Sequence, residues 1–233
     1  MYKPITQTLC SLLTLLFVLA SVEARATSII INGSFGNTNG TFVGDANKVD
    51  ELNSGSSTIP GWTTINGVPT AWIENGNPWD ISASNGSFFL DLTGYSDFGT
   101  YGGVSQSFTT TPGSNYAVTF DLGYGGNSAV FGGPVSVEAT AGGFTGTFTS
   151  ASGTPDPAVW DPETFTFMAT STTTDLRFIG LSTAGGDYIG LDNVDVEAAG
   201  VTGLTPVPEP GTFGLLLTGI GFLGGLRIVW PKG

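Results

Sequence analysis

The chain has 233 residues, with 19 acids against six Lys or Arg, no histidine and one cysteine, for a net charge of −13. Without His, and with Cys10 set in an apolar N-terminal run, Ser-His-Asp triads, Cys-His dyads and imidazole metal centres are excluded. The acidic balance argues against nucleic-acid and peripheral-membrane binding, while 12% aromatic and only 11% charged residues describe a chain that folds.

In chain order, Lys3 opens a short positive region, Leu9 to Ala20 form an apolar core, and Ala24-Arg25-Ala26 offers small residues for cleavage after Ala26. Residues 1–26 therefore read as a secretory signal peptide, a helix too short to span a membrane. Cys10 follows Leu9 inside the apolar core, so it does not sit in a lipobox. Exported domains of this size manage without disulfides when their core is large enough.

Residues 27–198 read as one β-domain, followed by a linker at 199–206. Of the 19 acids only Glu23 and Glu209 lie outside residues 27–206, which leaves 17 against Lys48 and Arg177 and a net charge of −15. No stretch holds a helical period. Two-residue alternation is clear at Phe88, Leu90 and Leu92, at Tyr116, Val118, Phe120 and Leu122, and at Phe165 and Phe167. Further strands are expected at residues 28–32, 70–74, 103–109, 135–141, 143–149, 174–180 and 188–197. Asn-Gly pairs at Asn32, Asn39, Asn66, Asn75 and Asn85 and Pro112-Gly113 supply turns. About ten short strands with glycine-rich turns predict an all-β, two-sheet antiparallel jelly-roll sandwich. Residues 33–60 and 124–134 read as long loops, which in compact domains are usually functional or mobile.

Asp192 deserves a compensating partner. In the last strand the apolar parity flips at Asp192-Asn193, which predicts a bulge and places Asp192 on the face of Val194 and Val196. A bare carboxylate there is costly. Either backbone N–H groups bond it, or a Ca²⁺ is held by Asp192, Asn32 and backbone carbonyls; both readings stand. The loop acids Asp45, Asp50 and Glu51 lack EF-hand spacing and read as solvated surface.

Sugar rings pack a C–H face on Trp or Tyr while nearby Asp and Asn bond their hydroxyls. Trp62, Trp72, Trp79, Tyr101 and Trp160, with Asp91, are therefore the candidate carbohydrate ligands; Tyr95, Phe98, Asn75 and Asn77 stand near them in sequence. Trp62 and Trp72 read equally as plugs of the sandwich core. A glycosidase needs two carboxylates about 5–10 Å apart, but no acid here carries a surrounding motif, and no phosphate-binding glycine loop is present. The domain is not expected to be an enzyme.

At the far end Val207-Pro208-Glu209-Pro210 precedes a glycine-rich apolar run from Gly211 to Leu226, then Arg227 and Lys232. The prolines hold an extended stalk. The run is about 24 Å long as a helix, against a hydrocarbon core of about 30 Å, and a snorkelling Arg227 makes up the difference. Residues 207–233 are thus expected to form a transmembrane helix with a cytoplasmic end. The arrangement resembles the PEP-CTERM sorting tail of Gram-negative bacteria. That resemblance implies transient anchoring in the inner membrane, cleavage near Pro208-Glu209-Pro210 by an exosortase-type enzyme, and release to the cell surface or medium.

A second resemblance runs through the domain. Asn32-Gly33-Ser34-Phe35, Ile59-Pro60-Gly61-Trp62, Leu90-Asp91-Leu92-Thr93-Gly94, Val104-Ser105-Gln106-Ser107-Phe108, the Tyr116–Leu122 strand and Leu191-Asp192-Asn193-Val194 follow one another. In that order they resemble the choice-of-anchor C family, related to plant cell-wall proteins with a galactose-binding-like jelly roll; Gly36 stands where that family carries Glu. The resemblance implies a non-catalytic surface or biofilm-matrix protein whose partner is a polysaccharide or exopolymer. The alternative is a structural or adhesion protein with protein partners and no glycan.

Overall fold

The computed structural model describes residues 27–95 and 101–199. The signal peptide, the cleavage position at Ala26, Phe98 and the sorting tail with Pro208, Glu209, Pro210 and Arg227 lie outside them.

Among the described residues, eleven strands form two antiparallel sheets. In chain order they are β1 (Val49–Leu52), β2 (Thr63–Ile65), β3 (Thr70–Glu74), β4 (Phe88–Asp91), β5 (Gly103–Thr109), β6 (Asn115–Tyr124), β7 (Val135–Ala141), β8 (Phe144–Thr149), β9 (Val159–Met168), β10 (Thr173–Thr183) and β11 (Gly190–Ala198). Sheet A has the order β1-β3-β4-β11-β6-β9 and sheet B the order β2-β5-β10-β7-β8. Successive strands cross between the sheets from β4 to β7 and from β8 to β11, which makes the sandwich a jelly roll. The all-β, two-sheet expectation holds.

Alternation decides which side chains meet between the sheets. Tyr116, Val118, Phe120, Leu122 and Tyr124 of β6 face Leu176 and Phe178 of β10 and Val135, Val137 and Ala139 of β7, all buried in one cluster. Phe120 lies 4.8 Å from Phe178, and Phe144 stacks on Phe165 at 4.4 Å. The outer face of sheet B stays hydrated: Ser107 and Thr109, Thr173, Asp175 and Arg177, and Thr145, Thr147 and Thr149 are exposed. The outer face of sheet A is different. Val49, Ala71, Ile73, Ile81, Phe89 and Tyr188 form a second buried cluster there, flanked by Trp79, Phe131 and Trp160.

Three expectations change. Residues 28–32 form no strand. Instead Ile29 N–H donates to the Val196 carbonyl at 2.9 Å, and the Gln106 side chain takes the place of a ladder partner. Its Oε1 accepts from Ile31 N (2.6 Å) and its Nε2 donates to Ile31 O (2.8 Å). Second, the presumed loop 33–60 contains β1, an edge strand whose buried residues Val49 and Leu52 are three apart and so show no alternation. The three-residue β2 is equally hidden. Asn39-Gly40 and Asn66-Gly67 do form the expected turns, with φ of 45° and 75°, and 79° and 80°, the left-handed pair that suits a tight hairpin.

The third correction concerns Asp192. The bulge is present: Asp192 pairs with Asp121 and Asp195 with Thr119, three steps against two, with Asn193 at φ 50°. It places Leu191 and Val194 together in the inter-sheet core, which sends Asp192 to the opposite face. Asp192 therefore lies beside Asp121 on the outer side of sheet A and not with Val194 and Val196, because the extra residue falls after it.

Candidate functional site: an aromatic cleft on sheet A

The second cluster does not close over. Above β3 and β4 it opens into a cleft of about 280 Å³ lined by ten residues. Ala71 and Ile73 of β3, with Ile81, make its aliphatic floor. Trp79, Tyr95 and Phe131 stand around it, and Asp91, Asp187 and Tyr188 bring polar groups.

Each wall is fixed by local chemistry. Asn77, buried, builds the turn after β3: its Nδ2 donates to Glu74 O and Ile81 O, and its Oδ1 accepts from Trp79 N and Ile81 N. Asn75 fastens the next part, accepting from Ala83 N at 2.7 Å and donating to Gly86 O. These asparagines are thus spent on placing Trp79 and Ile81. Trp79 and Tyr95 meet edge-on, centroids 6.0 Å apart at 72°. Tyr95 is held from β1, its hydroxyl accepting from Asn47 Nδ2 at 2.6 Å and its N–H donating to Glu51. The glycine-rich stretch after β6 folds back as the opposite wall: Asn127 N donates to Trp79 O, and Asp187 N to Val130 O.

The acids of the cleft differ. Asp91 is buried, and its Oδ1 accepts from Thr93 N (2.9 Å), Thr93 Oγ1 (2.8 Å) and Ile189 N (3.1 Å). It holds the turn after β4 against the start of β11. The half-buried Asp187 carboxylate has no hydrogen bond or ion pair among the described residues. Tyr188 lies flat over Gly190 and Gly123, where any Cβ would meet its hydroxyl at 2.3 and 2.8 Å. That hydroxyl is buried without a hydrogen-bond partner among the described residues. Burial first, then the charges of Asp91 and Asp192, push its pKa well above 10.

Asp192 is fully buried next to this cleft. Its Oδ2 accepts from Asn85 N at 2.8 Å and its Oδ1 from Asn193 N at 2.6 Å. Desolvation raises its pKa from 3.8 to about 7 against the lowering effect of those backbone bonds, with Asp121 adding to the rise. Ser84 and Asn193 both bond Asp121, so the turn before β4 is tied to the bulge of β11. Asn32 serves a different turn: its side chain bonds Asn37 and the Pro60 carbonyl, and its own carbonyl accepts from Trp62. Asn32 and Asp192 do not share a shell, and among the described residues no three His, Cys, Asp or Glu are grouped for a metal. The side chains present fit the hydrogen-bonded reading of Asp192 better than a Ca²⁺ site.

Of the sequence-derived ligands, the cleft gathers Trp79 and Asp91. Trp62 and Trp72 are core residues, 2% and 0% exposed, with indole N–H groups donated to Asn32 O and Phe35 O. Trp160 is half-buried against Phe89 and donates to Ser82 O, beside the cleft but not lining it. Tyr101 packs on the inter-sheet core. Sequence reasoning missed Ile73, Ile81, Phe131, Asp187 and Tyr188 as a group. The signal for Phe131 was the anomalous length and glycine content of its loop; for Asp187 and Tyr188 it was their place just before a strand next to Asp91.

Fold and cleft together define a jelly-roll domain with an open aromatic trough on one sheet. The chain belongs to the family described as protein of unknown function, DUF642, which matches residues 28–187. It is 29% identical over 199 residues to halomucin of Haloquadratum walsbyi, covering 83% of this chain but only 2% of that protein. Among solved structures it is similar to a family 61 carbohydrate-binding module in complex with β-1,4-galactotriose (TM-score 0.43, 13% identity, covering 74% of this chain and 99% of that one). It is also similar to a family 35 carbohydrate-binding module from Clostridium thermocellum (TM-score 0.41, 11% identity, 64% and 99%).

Proposed function

We propose that this protein is an exported, non-catalytic surface or matrix module that binds polysaccharide in the cleft of sheet A. The observation that carries the reading is the pairing of Trp79 and Tyr95 over the floor of Ala71 and Ile73, with Asp91 and Asp187 alongside. Aromatic walls accept the C–H faces of a sugar, and a few placed polar groups bond its hydroxyls. The non-catalytic part is supported by Asp91, whose Oδ1 is fully engaged in holding a turn and not poised as an acid. Delivery would use residues 1–26 as signal peptide and 207–233 as sorting tail, cut by an exosortase-type enzyme after transient residence in the inner membrane, with 199–206 as linker.

A glycan array probed with the purified protein and its Trp79→Ala variant tests the reading. Binding to one polymer class that the substitution weakens at least about tenfold supports it, since a stacked aromatic at a binding centre contributes on the order of 2 kcal/mol. Absence of binding to every polymer would leave the structural or adhesion role with protein partners.

A further inference from the structure

The charge of the cleft selects among sugars. The described residues contain two bases, and neither lines it. Lys48 is spent, donating to Asn75 O at 2.7 Å and pairing with Glu74 at 3.7 Å. Arg177 is exposed on the outer face of sheet B. The cleft instead carries Asp91 in its depth and the uncommitted Asp187 at its side. Around them lies a body of net charge −15 over residues 27–206. A uronate, sulfate or phosphate brought here would be desolvated against carboxylates with no cation to receive it.

Resting on the glycan reading of this cleft, the geometry points to a polysaccharide bearing free ammonium groups, a de-N-acetylated hexosamine polymer, as the ligand class. Asp187 supplies the counter-charge. Among the described residues no group bonds its carboxylate, so ligand binding there costs it no hydrogen bond to them. Trp79 and Tyr95 add to this. Both line the cleft, and an ammonium is attracted to an aromatic face. The apolar floor under Ala71, Ile73 and Ile81 keeps the local dielectric low, which strengthens both attractions. The surrounding negative field draws a polycation to the surface and speeds encounter.

The test compares a β-1,4-linked glucosamine oligomer with its fully N-acetylated form on the full chain, by calorimetry, at a pH where the amine is protonated. The expected result is a preference of about tenfold for the amine form at low salt, the size of one partly desolvated cation contact, shrinking as salt is added. Asp187→Asn, which removes the charge and keeps a polar side chain of the same size, should abolish the preference by weakening the amine form about tenfold more than the N-acetylated form. Equal or tighter binding of the N-acetylated form, or of a uronate polymer, overturns the inference while leaving the cleft a glycan site. If no glycan of any charge binds, both readings fail. A preference that survives in Asp187→Asn also overturns it, because the charge would then be read elsewhere.

Discussion

Asp192 should make this protein more stable in mild acid than at neutral pH. In the folded state its proton is held up to about pH 7, whereas an exposed aspartate releases it near pH 4. Between those values the folded chain binds more protons than the unfolded one, so the unfolding free energy falls as pH rises. The contribution is fully present below about pH 4 and lost by the time pH passes about 7. With about 1.4 kcal/mol for each pH unit of that window, the loss reaches about 4 kcal/mol. The perturbation that isolates it is Asp192→Asn. Asparagine keeps one acceptor but turns an NH₂ toward either Asn85 N or Asn193 N, a cost of about 1–3 kcal/mol that does not depend on pH. Urea unfolding followed by tryptophan fluorescence at pH 5 and pH 8, with chelator present, should show the wild type losing stability across this range while the variant stays nearly flat. The gap between them should therefore narrow or invert at pH 8. If both proteins show the same pH dependence, the proton is not held at Asp192 and the burial argument is wrong. A calcium-dependent gain at pH 8 that the variant lacks would show that a cation keeps the carboxylate charged instead.

Other substitutions follow from single contacts. Tyr188→Phe removes a buried hydroxyl that has no partner, so melting should show stability unchanged or raised by about 1 kcal/mol. Gly33→Ala places a Cβ 1.8 Å from the Val194 carbonyl, backbone against backbone; it should cost about 3 kcal/mol or more, read as a lower urea midpoint. Gln106→Ala unties both hydrogen bonds to Ile31, so residues 27–33 should become the first site of limited proteolysis, with a stability loss of about 2 kcal/mol.

What was legible in the residues followed from period and turn chemistry. β3, β5 and β7 are bounded as expected, because Gly and Asn-Gly pairs mark their ends. The first segment misled for a physical reason: Ser28 to Asn32 carries the β-branched run Ile29-Ile30-Ile31 that favours a strand, but its partner is the side chain of Gln106, and no sequence pattern announces a glutamine acting as a backbone. β1 was hidden by its spacing of three between buried residues, which belongs to an edge strand tied to Trp72 and Ile73 by register and not by an apolar face. For the site, aromatic type alone could not separate Trp72, plugging the core, from Trp79, seven residues on and across a turn. The two are divided by Asn77, whose four hydrogen bonds set the turn. The cleft also needs Phe131 and Asp187, brought from distant loops by backbone bonds that only the assembled sandwich reveals.

The placing of β11 has a mechanical consequence. Asp187 and Tyr188 lead directly into it, and the chain leaves it at Ala198, so one strand connects the trough to whatever follows. Were the proposed polymer held in the trough, a pull between it and a point beyond Ala198 would run along β11, which sits in the interior of sheet A between β4 and β6 and is paired with β6 at both of its ends. Those bonds would be loaded together in shear and not opened one at a time from an edge.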